Sequence, residues 1–137
     1  MKKINLQNLK KIFSERELPQ VEEPRDEVEN SPYLKYLQAV RGVTHIELID
    51  EIWMNKSPQE YGAVRDKVLM KQFDFLYELL MEVPLEESKD LVDFILKDVG
   101  KKEALLNLSK IINHFAELEE YEKCADVQKY LHEIEKS

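Results

Sequence analysis

Apolar residues along this chain recur every three or four positions, the period of helices that bury one side. Ile4, Leu6, Leu9, Ile12 and Phe13 form such a stripe, which predicts an amphipathic helix over residues 1–16. Residues 17–30 lose the pattern, and Pro19 and Pro24 stand among acidic side chains, so this stretch reads as an extended linker. The body, residues 31–137, opens at Ser31-Pro32, an N-cap followed by proline at the first helical position. Leu34, Leu37 and Val40 give that helix a face, and Gly42 reads as its C-terminal cap. Thr44-His45-Ile46-Glu47 has the capping-box pattern and predicts a new helix with Ile46, Ile49, Ile52 and Trp53 on one side. A second capping box, Ser57-Pro58-Gln59-Glu60, predicts the longest helix of the front half. Tyr61, Val64, Val68, Leu69, Phe73, Leu76, Leu80 and Val83 are its inward positions.

Pro84 ends or bends that helix, and the next, over residues 86–99, carries Leu91, Val92, Ile95, Leu96 and Val99 and stops at Gly100. From Lys101 the pattern resumes with Leu105, Leu108, Ile111, Ile112 and Phe115. No run reads as a strand. Short connections between helices make neighbours pack against each other, so the expected fold is all-α: a small bundle of five or six helices with a tethered N-terminal helix.

Beyond Phe115 the stripe changes phase. A straight helix would place apolar residues near Glu122, Ala125, Lys129 and His132, but they stand at Tyr121, Cys124, Val127, Leu131 and Ile134. Either the chain turns back around residues 118–122 to form a helical hairpin, or one helix presents two apolar faces. The run from Glu119 to Glu135 resembles the second half of the UVR motif, the short helical hairpin shared by UvrB, UvrC and the Clp-associated regulators. Tyr121-Glu122 matches its aromatic-Glu pair, Cys124-Ala125 its small pair and Val127 its aliphatic position, while Gln128-Lys129 stands where the motif carries Arg-Asp. The resemblance implies that segment 111–135 pairs with another hairpin or with a partner protein and catalyses nothing. Its contacts would be Tyr121, Cys124, Ala125, Val127, Leu131 and Ile134. Read from the residues alone, a Glu/Lys-rich terminal helix with an apolar stripe closes the core of its own domain.

Charge narrows the partners. With 28 acidic and 20 basic residues the chain carries a net −8, which disfavours nucleic acid, whose binding needs a basic surface. The exception is local: Lys2, Lys3, Lys10, Lys11 and Arg16 against Glu15 give residues 1–16 a net +4. The linker answers with Glu17, Glu22, Glu23, Asp26, Glu27 and Glu29 against Arg25, a net −5. The basic helix therefore either docks on a partner through Leu6, Leu9, Ile12 and Phe13 or folds back on acidic neighbours. No apolar run is long enough to cross a bilayer, and polar residues interrupt any signal-like segment after Met1. The single Cys124 cannot form an internal disulfide and suits a reducing compartment, so the expectation is a cytoplasmic protein without a membrane partner.

Candidate chemistry is sparse. There is no Cys-x-x-Cys pair and no His-Glu-x-x-His, so no metal ligands are assigned. His114 with Glu117 reads as a surface pair, and Cys124 as a small packing residue among Glu119, Glu120, Glu122 and Asp126. Gly42, Gly62 and Gly100 are too scattered for a phosphate loop. Gly42-Val43-Thr44 could serve a helix-turn-helix, yet Glu47, Asp50 and Glu51 follow where DNA-facing side chains should be basic or amides. No catalytic residue and no cofactor are expected. The leading expectation is a non-catalytic protein that binds another protein, or a further copy of itself, through helical surfaces, as an adaptor, regulator or assembly factor. The alternatives are a structural subunit of a larger particle, such as a phage virion or assembly intermediate, and an acidic inhibitor that mimics nucleic acid.

Overall fold

The computed structural model describes residues 31–137. The expected basic helix over residues 1–16, with Leu6, Leu9, Ile12 and Phe13, and the linker over residues 17–30 lie outside the described residues. The described residues form an all-α bundle of five helices: α1 (Pro32–Lys56), α2 (Pro58–Met81), α3 (Leu85–Asp98), α4 (Lys101–Glu117) and α5 (Tyr121–Glu135). No described helix is long and apolar enough to cross a membrane.

Two antiparallel hairpins, α1–α2 and α4–α5, supply most of the packing, and α3 lies against α1 and α5. The core is formed by Tyr36, Val40 and Val43 of α1, Leu76 and Leu80 of α2, Ile95 of α3, Leu108, Ile111 and Phe115 of α4, and Val127 and Ile134 of α5. Polar ties stitch these elements together. Asn107, itself buried, donates from Nδ2 to the Val40 carbonyl at 2.7 Å, which fixes α4 along α1. Tyr77 donates to Asp126 at 2.7 Å, and Tyr130 donates to the Val83 carbonyl, which anchors α5 to α2 and the turn that follows it. Burial and then the bond to Asp126 push the Tyr77 phenol up to about 12.

The first half departs from the sequence pattern. Gly42 does not end a helix; α1 runs through it for 25 residues, one more than α2. The glycine serves packing instead. A Cβ at position 42 would stand 2.3 Å from Leu76 Cδ2, so only a bare backbone lets α2 come this close. A glycine inside a helix costs about 1 kcal/mol against alanine, and the close crossing offsets it. The Thr44–Glu47 capping box accordingly does not form. Glu47 pairs with Lys110 across the α1–α4 contact at 2.8 Å, and Thr44 lies within hydrogen-bond range of Asn107. Ser57 does precede α2, as the only residue between the two long helices, but its side chain caps nothing.

The second half follows the pattern more closely. Gly100 sits in the left-handed region (φ 87°), and its N–H closes the end of α3 on the Leu96 carbonyl at 3.0 Å. The phase break after Phe115 is a true turn. Helix α4 ends in a Schellman motif, with Glu120 N–H on Phe115 O at 2.9 Å and Glu119 N–H on Ala116 O at 3.0 Å. Glu119 takes the left-handed position (φ 60°) usually given to glycine. The reading of one straight helix with two apolar faces is thereby excluded.

Candidate protein-interaction surface

The residues expected at a C-terminal contact divide into two sets. Cys124, Val127 and Ile134 are buried in the domain's own core, and Leu131 packs half-buried against it. Cys124 brings its Sγ within 3.3 Å of the Ile112 carbonyl, so the helix that approaches this small residue is α4 of the same chain. Tyr121 and Ala125 point outward. His114 is not a surface residue as its sequence setting suggests. Its ring stacks on Phe73 (4.2 Å between centroids, 13° between planes) and its Nε2 is buried without a partner. Burial holds its pKa below the ordinary value. Among the described residues no group of His, Cys, Asp and Glu is arranged to hold a metal ion.

The largest departure lies in the outer half of the α1–α2 hairpin. The ties from α1 to helices beyond the hairpin start from Tyr33, Tyr36, Val40, Arg41, Thr44 and Glu47. Those from α2 start from Phe73, Asp74 and Tyr77. Between Glu47 and Phe73 the single buried side chain is Tyr61. Positions read as inward from the stripe are exposed here: Ile52 at 37%, Trp53 at 48% and Val64 at 47%. Phe75, further along α2, is 49% exposed. At about 100° per residue, Val64, Val68 and Phe75 lie on the side of α2 roughly opposite Phe73 and Leu80, which enter the core. Ile49, Trp53, Tyr61, Val64 and Val68 line an open groove of about 400 Å³ between the two helices. The hairpin thus has two apolar sides, one facing the bundle and one facing away from it.

A polar clamp holds that groove in shape. Arg65 reaches Asp50 through two bonds, Nε to Oδ1 and Nη2 to Oδ2, both at 2.8 Å, and Tyr61 donates to Asp50 Oδ1 at 2.8 Å. The Arg65 hydrogen bonds keep the Asp50 carboxyl below its ordinary value, more strongly than its burial raises it. With so few buried side chains beyond Glu47, this bidentate pair is the main specific link between the helices there.

Sequence reasoning missed this surface because a stripe shows that residues are apolar, not what covers them. One signal was present. In α1 the apolar positions 48, 49, 52 and 53 continue a stripe already supplied by 36, 39, 40, 43 and 46, and together they span more of the helix than one core contact can cover. No family model matches the chain, and no characterised protein or solved structure is significantly similar to it.

Proposed function

We propose that this chain is a non-catalytic protein–protein interaction module and that its contact surface is the outward apolar face of the α1–α2 hairpin. The observation that carries the reading is the open groove lined by Ile49, Trp53, Tyr61, Val64 and Val68, with Phe75 beyond it. Half-exposed Trp and Phe beside small aliphatics are the residue types that anchor protein interfaces, where truncation of a few central aromatics removes most of the affinity. The Asp50–Arg65–Tyr61 clamp supports the same reading, since a groove formed before binding lowers the ordering cost of association. The likeness of residues 119–135 to a UVR hairpin is in keeping with an interaction role, and exposed Tyr121 and Ala125 mark the side of α5 open to a second contact.

The test is a photo-crosslinking benzoylphenylalanine placed at Trp53, irradiated in the source cell, with the same group at exposed Lys102 on α4 as control. Adducts formed from position 53 and not from 102 are expected, and Val64→Glu should suppress them. Equal labelling from both positions would sink the assignment of this face.

A further inference from the structure

We propose that the partner on this face is a second copy of the same chain, held in a two-fold contact centred near Val64. The inference rests on the interaction-module reading and names its occupant. Along α2, Glu60, Val64, Lys67 and Lys71 follow at spacings of four, three and four, so they share one exposed side of the helix. Among the described residues none of the three charged groups makes an ion pair. A two-fold axis reverses the direction of α2 in the partner. With the axis beside Val64, that residue meets Val64 of the partner subunit, and Glu60 comes opposite Lys67 of the partner subunit. By symmetry Lys67 meets the partner's Glu60.

The same charges reject two competing registers. Centring the antiparallel contact near Leu69, the middle of the helix, sets Glu60 against Glu78 of the partner subunit and Lys67 against Lys71 of the partner subunit. A parallel, in-register contact sets every charge against its own kind. The staggered register makes attractive pairs across the groove end of the hairpin, and like charges in contact are a strong selector against registers that oppose them. The chain carries −8 overall, but Glu60, Lys67 and Lys71 give this strip a net +1, so these groups do not add to the acidic repulsion between copies.

Size sets the strength. The overlapping part of α2, residues 58–70, is about 20 Å long, and two helices side by side are about 20 Å wide, giving roughly 400 Å² per copy. The total of about 800 Å² lies below the bound of about 1,000 Å² for stable specific interfaces, so the contact is a weak, reversible one.

Sedimentation of the full chain from about 1 to about 200 μM tests this. The expected mass rises from 16.3 kDa toward twice that value. Glu60→Lys and Lys67→Glu should each raise the dissociation constant about tenfold, and the double reversal should return it to within about threefold of the parent. Val64→Lys should leave the far-UV helical spectrum unchanged and abolish association. A chain that stays at 16.3 kDa throughout, a dimer indifferent to all these substitutions, or growth past a dimer into rings overturns the two-fold contact. The cross-link from Trp53 separates this failure from that of the broader reading. An adduct of twice 16.3 kDa supports the dimer; an adduct with a different protein from a monomeric chain overturns the dimer and leaves the interaction face; no adduct sinks both.

Discussion

The two hairpins of this bundle are built from the same materials and finished differently. In α4–α5 the apolar positions form one narrow stripe per helix, and Ala104, Leu108, Ile111, Phe115, Val127 and Ile134 all enter the core. The opposite faces are mostly charged or polar, with Leu106 and Tyr121 as exposed apolar exceptions. In α1–α2 the apolar residues spread around both helices, so the inner ends join the core and the outer ends carry a second apolar side into solvent. The difference separates two uses of hydrophobic area. The narrow stripe stabilises the fold, and much of the surplus on the broad one stays in solvent. An exposed apolar surface without a folding role is a mark of an interaction site.

Ile134→Ala deletes fully buried volume and should cost about 2–5 kcal/mol in urea unfolding, because the cavity adds to the lost transfer energy. Val64→Ala, in the outer hairpin, should change stability by less than about 0.5 kcal/mol when measured at low protein concentration. A comparable cost at both positions would show that Val64 belongs to the core after all.

Next come the glycines of α1 and α2, which look alike in sequence. Gly42→Ala must displace Leu76, a buried side chain, and should destabilise by about 1–2 kcal/mol even after the gain in helix propensity. Gly62 has open space around its Cα, so Gly62→Ala should stabilise by about 0.5–1 kcal/mol. Thermal melts of the two variants should therefore move in opposite directions.

A smaller effect should come from the clamp. Asp50→Ala removes both Arg65 bonds and the Tyr61 bond, but the Arg65 side chain is half-exposed and can be solvated, so the global cost should stay within about 1 kcal/mol. The local effect is the sharper readout. Amide exchange should accelerate between residues 48 and 72 and stay unchanged in α4 and α5. Uniform acceleration would mean that the outer hairpin is no separate region.

These contrasts also mark what the sequence could tell. Helix α3 was legible because a clean stripe ends at Gly100, which the backbone needs at φ 87°. The turn after α4 was legible only as a phase shift, since Glu119 occupies a position where a glycine would have announced it. Gly42 misled because a cap and a close helix crossing both call for a missing Cβ, and only Leu76, 34 residues away, decides between them. The same holds for Trp53 and Val64. Local pattern gives apolar character, whereas burial depends on which distant helices happen to reach that far along the hairpin, and α4 stops contributing at Lys110 and His114.

The smallest expected effect lies where the two hairpins touch. His114 of α4 is stacked on Phe73 of α2, and its buried Nε2 favours the neutral ring. Asp74 of α2, together with Glu117 and Glu120, pulls the other way and Lys123 of α5 adds to the lowering, but burial is the leading cause and the folded pKa lies below 6.5. As pH falls through 6.5 the unfolded chain takes up a proton that the folded chain does not, so unfolding becomes easier. The contribution is fully present above that pH, declines below it, and is completely lost once pH has dropped beneath the folded value. Urea midpoints measured between about pH 7.5 and 5.5 should therefore decrease toward acid, and His114→Gln should flatten the slope over that window. An unchanged slope in the variant would remove His114 from the contact and leave Tyr77 on Phe115 as the aromatic contact joining the broad-faced hairpin to the narrow-faced one at that end of α4.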